Sequence, residues 1–460
     1  MENSLYDELL QEIFQKLPSS SFSSISLVSK RWLHLYRSSK TSLSLRFNNQ
    51  HLSSFISFLN QHPSLSSLSL ILLSSSPSTT PLLLSVISSS KLLSLKFLAA
   101  PLPLSSITSL SNSCTKLTSL SITLSRPIFL NWVLLFPCLK HLSVVFCSSE
   151  EVNFQNCVFE SDDFDKELGL ESLCFENIRG DDWGIGWLWK RCRNLKKLKL
   201  LSCQGIGGSY SCFVQCLQGI QQIELKTCRS VVDGVLLNLA QHCNSLESLL
   251  VHDGGSREGL LHFFSNCSSN NLHKLDFRLP MDLENNHLFA IAMTTNFRGL
   301  SSIRLQSCCL VTGEGLKVLS VALSNGLEEL ALINCDVVER EKGLLATLGQ
   351  HLRQLKKLDL SHNEMLFDKD FISMLVSCIH LVDLKVRGCK GLTNLALVTM
   401  VRSCKRLENV DVMHCLGIES MAIELFVKNC SHLRRLEVEG SKLSDATKLW
   451  ASNKFIELVL

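Results

Sequence analysis

Apolar residues return along most of this chain in one short frame, Leu-x-x-Leu-x-Leu. The stretch "CRNLKKLKLLSC" sets Leu195, Leu198 and Leu200 in that order, and the same order recurs as Leu246, Leu249, Val251, then Leu381, Leu384, Val386, then Leu407, Val410, Val412. The first apolar position of each frame falls at 65, 92, 117, 139, 170, 195, 220, 246, 272, 300, 327, 355, 381, 407, 433 and 455, and most steps are 25 to 28 residues. Two apolar residues with one residue between them share a face of a strand, because side chains alternate with period two, and that face needs cover. Between frames the spacing turns helical. In "DGVLLNLAQHC", Val235, Leu236, Leu239 and Ala240 make one apolar side, with Asp233 placed to cap. One strand and one helix cannot bury these faces alone, so neighbours stack. The pattern predicts an α/β solenoid with a curved parallel sheet inside and helices outside.

The opening residues do not fit that frame. Leu5, Leu9, Leu10, Ile13, Phe14 and Leu17 fall three or four apart and stop at Pro18, which is an amphipathic helix with its terminator. Ile25, Leu27, Val28, Trp32 and Leu35 then predict a second and a third short helix. Six apolar residues on one helix cannot all face so small a trio. Fully burying each contributes about 1.5 to 3 kcal/mol, so the surplus apolar surface points to a partner protein.

Composition narrows the classes. A chain of 460 residues, 45% hydrophobic and 19% charged, suits either two or three ordinary domains or one long repeat array. The formal charge of +3, with no zinc-finger or basic-zipper spacing, argues against nucleic acid as a partner. The start carries acids and no basic n-region, and apolar runs are broken before 18 residues, so no membrane association is expected. Of the twenty cysteines, thirteen take two repeat positions. Cys114, Cys192, Cys243, Cys378, Cys404 and Cys430 precede the frame; Cys147, Cys203, Cys228, Cys308, Cys335, Cys389 and Cys415 follow it. Each is expected as a small buried residue at a repeat corner, donating weakly to backbone groups. Without a CxxC pair, no metal site is expected, and reduced thiols place the chain in cytoplasm or nucleus. No GxSxG, HExxH or phosphate-loop motif appears, and in the pairs His242-Cys243 and His414-Cys415 the repeat already claims each cysteine. Neither a catalytic residue nor a cofactor is expected.

The frame with its flanking cysteines resembles the cysteine-containing leucine-rich repeat. The run Leu5, Asp7, Glu8, Leu9, Leu10, Ile13, Phe14, Leu17, Pro18, then Ser26, Leu27, Val28, Ser29, Lys30, Arg31 and Trp32 resembles an F-box, with Tyr6 where that pattern favours proline and Ser29 where it favours cysteine. These resemblances imply a small helical F-box domain over residues 1–38 and a leucine-rich-repeat solenoid over 39–460, about 16 repeats of about 26 residues. They further imply the substrate-recognition subunit of an SCF-type cullin ubiquitin ligase, itself non-catalytic. Leu5, Leu9, Leu10, Ile13, Phe14, Leu17, Pro18, Leu27, Val28 and Trp32 would dock a Skp-type adaptor, and through it a cullin scaffold. The concave repeat face would hold a protein target whose identity the sequence does not give. Two other readings stay open: a plain leucine-rich-repeat interaction scaffold, and a ligand-sensing receptor similar to plant hormone receptors that combine an F-box with such repeats.

Residues two, four and six after each first leucine are expected to point away from the core. In the five repeats starting at 65 to 170 only Lys96 and Glu176 of fifteen such positions are charged, whereas in the ten starting at 195 to 433 eighteen of thirty are. The richest positive cluster is Lys197, Lys199, Lys226, Lys274, Arg278 and Arg304, interrupted by Glu224 and Asp276. It marks this face as the expected reader of an acidic or phosphorylated segment. Three other features are milder. Phe47 to Ser90 lacks any charged residue, the acid-rich step from 139 to 170 reads as an exposed loop, and Trp183, Trp187 and Trp189 are expected to pack in the core.

Overall fold

The computed structural model describes residues 5–17, 21–47, 52–72, 92–98, 101–147, 167–207 and 210–460. Pro18, much of the uncharged stretch up to Ser90, most of the acid-rich loop and the Trp183 side chain lie outside the described residues. The chain forms two compact units, one of Met1–Leu195 with Gly205–Cys216, the other of Lys196–Gln204 with Leu217–Leu460.

The first unit opens with three helices, α1 (Asp7–Lys16), α2 (Phe22–Val28) and α3 (Lys30–Ser39). Parallel strands follow: β1 (Ser42–Phe47), β2 (Ser67–Leu72), β3 (Ser94–Leu98), β4 (Ser119–Ser125), β5 (His141–Cys147) and β6 (Ser172–Glu176). The second unit runs in the same way from β7 (Lys197–Leu201) to β17 (Glu457–Val459), each strand hydrogen-bonded to the next. Frame is aligned with frame: Leu198 pairs with Ile223, Ile223 with Leu249, and Leu249 with Leu275. A slip of one residue would turn every leucine to solvent, so the alternation fixes this register. From β2 to β16 (Arg435–Glu437) both inward residues of every frame are buried. This is the α/β repeat solenoid expected from the sequence.

Two ends depart from the expectation. A strand, β1, precedes the first frame at 65; its Leu43 and Leu45 align with Leu68 and Leu70, but Lys40 stands where a first leucine would. At the other end Phe455 holds the first position and is 94% exposed with φ +57°, while the next residue, Ile456, turns inward. Asp233 also departs. The helix begins a turn earlier, at Arg229, so Asp233 lies inside Arg229–His242. Val231 and Val232 supply the extra buried turn, and the Asp233 carboxylate instead accepts from Ser256 N of the next repeat at 2.8 Å.

The corner after each strand is built from one backbone device. The seventh residue past the first leucine is left-handed in ten successive repeats: Asn177, Ser202, Thr227, Asp253, Leu279, Ser307, Asn334, His362, Gly388 and His414 all have φ between +49° and +72°. Asn, Asp, His and Gly, six of these ten, visit this region most readily, and β-branched Thr227 and bulky Leu279 are the costly exceptions. The turn brings the eighth residue under the preceding repeat. There Cys228 Sγ donates to Leu200 O at 3.3 Å, Cys389 to Leu360 O at 3.1 Å, and Cys415 to Val386 O at 3.0 Å. Asn363 takes the same place, donating to Leu332 O and Leu360 O at 2.8 Å each and accepting from Cys335 N at 2.9 Å. Of the thirteen cysteines assigned to the repeat, twelve are buried and Cys147 is half-buried. Trp189 is likewise core, packed edge-on between Phe175 and Phe213 with its Nε1 donating to Ile206 O at 2.9 Å.

Burial pushes the thiols of Cys378, Cys404 and Cys415 up to about 12. At pH 8 only about one in ten thousand of each is then thiolate, the reactive form. Iodoacetamide at that pH should modify the exposed Cys138 and Cys309 while these three stay unlabelled until the chain is unfolded, as peptide mass spectrometry would report. Because the folded state keeps protons that the unfolded state releases, their contribution to stability is whole below the unfolded thiol value and is lost as pH rises toward 12. No described helix is long and apolar enough to cross a membrane.

Candidate partner-docking faces

The stripe on α1 divides in two. Leu10 and Phe14 turn inward and are 2% and 1% exposed; with Ile25, Leu35 and Tyr36 they form the core of the trio, and Leu17 and Trp32 pack against it. Phe14 sets its ring edge-on to Trp32 at 5.4 Å and to Tyr36 at 5.9 Å. Leu10 and Phe14, expected from the sequence as contact residues, are therefore core residues of the trio and lie behind the exposed stripe. Leu5, Leu9 and Ile13, spaced by four, stay between 41% and 48% exposed. Leu27 and Val28 at the end of α2 are exposed as well. A domain with a complete core of its own thus keeps five aliphatic side chains in water.

Both departures from the F-box pattern fit the local geometry. Tyr6 holds φ −65°, the angle a proline ring would impose, so the start of α1 is unchanged without the ring. Ser29 caps α3, its Oγ accepting from Trp32 N at 3.2 Å, a role for which serine is a preferred residue. Arg31 links α3 to the start of α1 through Asp7 Oδ1 and donates to Leu5 O at 3.0 Å. Both partners of this ion pair are more than a third exposed, so its role is to fix the approach of Leu5, with little net stabilisation.

The second expected face is the outward side of the later strands. There the positive cluster is largely paired. Glu224 bridges Lys199 at 2.6 Å and Lys226 at 3.0 Å, Arg278 binds Asp276 at 2.8 Å, and Arg304 reaches Asp359 at 3.7 Å. Burial by itself would raise the Glu224 carboxyl, but the hydrogen bonds from both lysines outweigh it and hold the group below its usual range. Lys197 and Lys274 have no ion-pair partner among the described residues. The expectation that all outward positions meet solvent also fails: Asp276, Ser302, Ala331, Ile333 and Asp411 are buried. Arg387 accounts for one of these, clamping Asp411 at 2.8 Å and Glu437 at 2.7 Å across two repeat boundaries. The face is a mixed-sign network, with its net positive charge toward β7 to β11, the last of which is Ser302–Gln306. Among the described residues no group of three or more His, Cys, Asp or Glu could hold a metal ion.

Comparison with known proteins gives two structural likenesses and one family match. A chain in the crystal structure of the Rad7 and Elc1 complex in yeast is similar over 98% of this chain and 92% of its own length, at 14% identity and a TM-score of 0.44. A chain in the crystal structure of a TLR13-ssRNA13 complex is similar over 93% of this chain and 62% of its own, at 15% identity and a TM-score of 0.39. The family that matches by sequence is the F-box domain, over residues 3–40, a span that takes in α1, α2 and α3 and ends just before β1. With its helical trio, its inward and outward stripes and its capped third helix, residues 3–40 of this chain are an F-box domain set in front of an α/β repeat solenoid.

Proposed function

We propose that this chain is a substrate receptor of an SCF-type cullin ubiquitin ligase. The F-box face of Leu5, Leu9, Ile13, Leu27 and Val28 docks a Skp-type adaptor, which links the chain to a cullin. The outward strand face of the later repeats holds a target protein for ubiquitination in the cytoplasm or nucleus. The observation that carries this reading is the F-box domain itself, whose own core is closed while its aliphatic stripe remains in water. Hydrophobic area of that kind is what a partner covers. The chain then works by proximity, raising the effective concentration of a target lysine near a charged conjugating enzyme, while other subunits make the bond.

On the target side, Lys197 and Lys274 are the cations open to an acidic segment, with Lys199, Lys226, Arg278 and Arg304 already held in ion pairs. Such pairs give a bound segment orientation more than affinity. The test is equilibrium binding of a purified Skp-type adaptor to the intact chain. Saturable binding at micromolar concentration or tighter is expected. Its absence would leave the repeats as an interaction scaffold and overturn the proposal.

A further inference from the structure

On the helical side of the second unit, the helices Asn394–Ser403 and Ser420–Asn429 lie side by side and leave a groove of about 280 Å³ between them. Leu397 and Phe426 form its buried floor, and Val398, Met421 and Leu425 stand along its walls, Met421 being 76% exposed. A groove of this kind has three possible fillers: an extended peptide, a second copy of the chain, or a helix. The chemistry separates them.

The helices on either side satisfy their backbone groups internally, so the walls offer an extended peptide no ladder of donors and acceptors. Its own amides would be left unpaired against apolar carbon. A helix brings its backbone already bonded. A second copy would set groove against groove, whereas filling a hollow requires a ridge, and ridges packed into grooves are how helices meet.

Charge fixes the direction. Glu419, at the end where both helices begin, accepts only from the Asn394 amide at 3.1 Å and has no cationic partner among the described residues. Arg402, exposed at the other end, has no carboxylate partner among them either. Arg402 lies eight residues along its helix from Asn394, a rise of about 12 Å. Opposite, uncompensated charges therefore stand about two helical turns apart along one apolar trough. An incoming helix running antiparallel to both meets Arg402 with an acidic first turn and Glu419 with a basic last turn. That is also the charge order that suits its own dipole.

We infer that this groove is a docking site for an amphipathic helix of a partner protein, bound antiparallel to Asn394–Ser403. The partner's apolar side chains fall at i, i+4 and i+7, with an acid at its start and a base about eight residues later. The site shares no residue with the F-box or with the outward strand face, and it stands or falls independently of the ligase reading.

The test uses the intact chain and a fluorescein-labelled synthetic helix with leucines at those three spacings, glutamate immediately before the first of them and lysine immediately after the last, which sets the two charges about eight residues apart. Fluorescence anisotropy should give saturable binding. A second peptide with glutamate and lysine exchanged should bind at least about tenfold more weakly, and so should the first peptide to a Leu425→Glu chain. Arg402→Glu should weaken the first peptide and restore the exchanged one, an outcome that general stickiness cannot produce. The inference is overturned if the two peptides bind alike, if neither binds, or if sedimentation shows that the chain self-associates through this face and Leu425→Glu abolishes the association.

Discussion

Replacing Asp182 with alanine destabilises the first unit by about 3 to 5 kcal/mol, the range found when one partner of a buried ion pair is removed. Asp182 takes Arg126 in a two-pronged grip, Nε to Oδ1 at 2.7 Å and Nη2 to Oδ2 at 2.9 Å, and also accepts from Arg179 N at 2.6 Å. The Asp182 side chain is 4% exposed and that of Arg126 is 16% exposed, so water replaces little of what is lost. Arg126 retains the Asn177 carbonyl, which offsets a small part of the cost of an unpaired guanidinium. Urea unfolding followed by circular dichroism, with hydrogen exchange of the β4 to β6 amides to locate the change, should show the transition of this unit moving to lower denaturant. Exchanging both partners for apolar residues, Arg126→Met with Asp182→Leu, should recover most of the loss, because the desolvation cost leaves along with the attraction. A single alanine variant that unfolds within about 0.5 kcal/mol of the parent would show the pair to be a surface contact in energetic terms.

That pair also marks where sequence reasoning stops. The LxL alternation was legible because burial of a strand face demands period two, and fifteen strands, β2 to β16, bury the residues it names. The strand β1 falls outside the frame because Lys40 stands at the first apolar position, with its Nζ 4.6 Å over the ring of Tyr36. Asp182 and Arg126 are 56 residues apart, and no periodic rule joins them. By contrast, Lys199 and Glu224 hold the same place in adjacent frames, so their pairing follows once the frames are aligned in parallel. The sequence cluster counted charges without asking which strand neighboured which. The left-handed corners left a faint signal of their own, in the Asn, Asp, His and Gly residues that recur seven places after the first leucine.

The F-box stripe was legible as a helix with too many apolar residues, but not as two faces. An α-helix sets successive residues about 100° apart, so Leu9 and Leu10 point in different directions although they are neighbours. The division decides which substitution tests docking. Leu17 packs against the core of the trio, so aspartate there would unfold the domain and lose the adaptor for a trivial reason.

Leu9→Asp combined with Ile13→Asp leaves Leu10, Phe14, Ile25, Leu35 and Tyr36 untouched and should fold like the parent by circular dichroism. Adaptor affinity should nevertheless fall more than about a hundredfold. Each side chain is roughly half exposed, so covering the rest of both returns on the order of 2 kcal/mol, within the about 1.5 to 3 kcal/mol that complete burial of each provides. Two carboxylates forced beneath a partner without cations add a desolvation penalty of at least similar size. A loss of about 3 kcal/mol already exceeds a hundredfold in Kd. Leu27→Asp tests the same face from α2, where the side chain is 85% exposed and no folding role confounds it. Because both variants spare the core, a folded chain that still captures the adaptor at parental affinity would separate the F-box stripe from docking. The aliphatic residues at 9, 13 and 27 would then require a different partner.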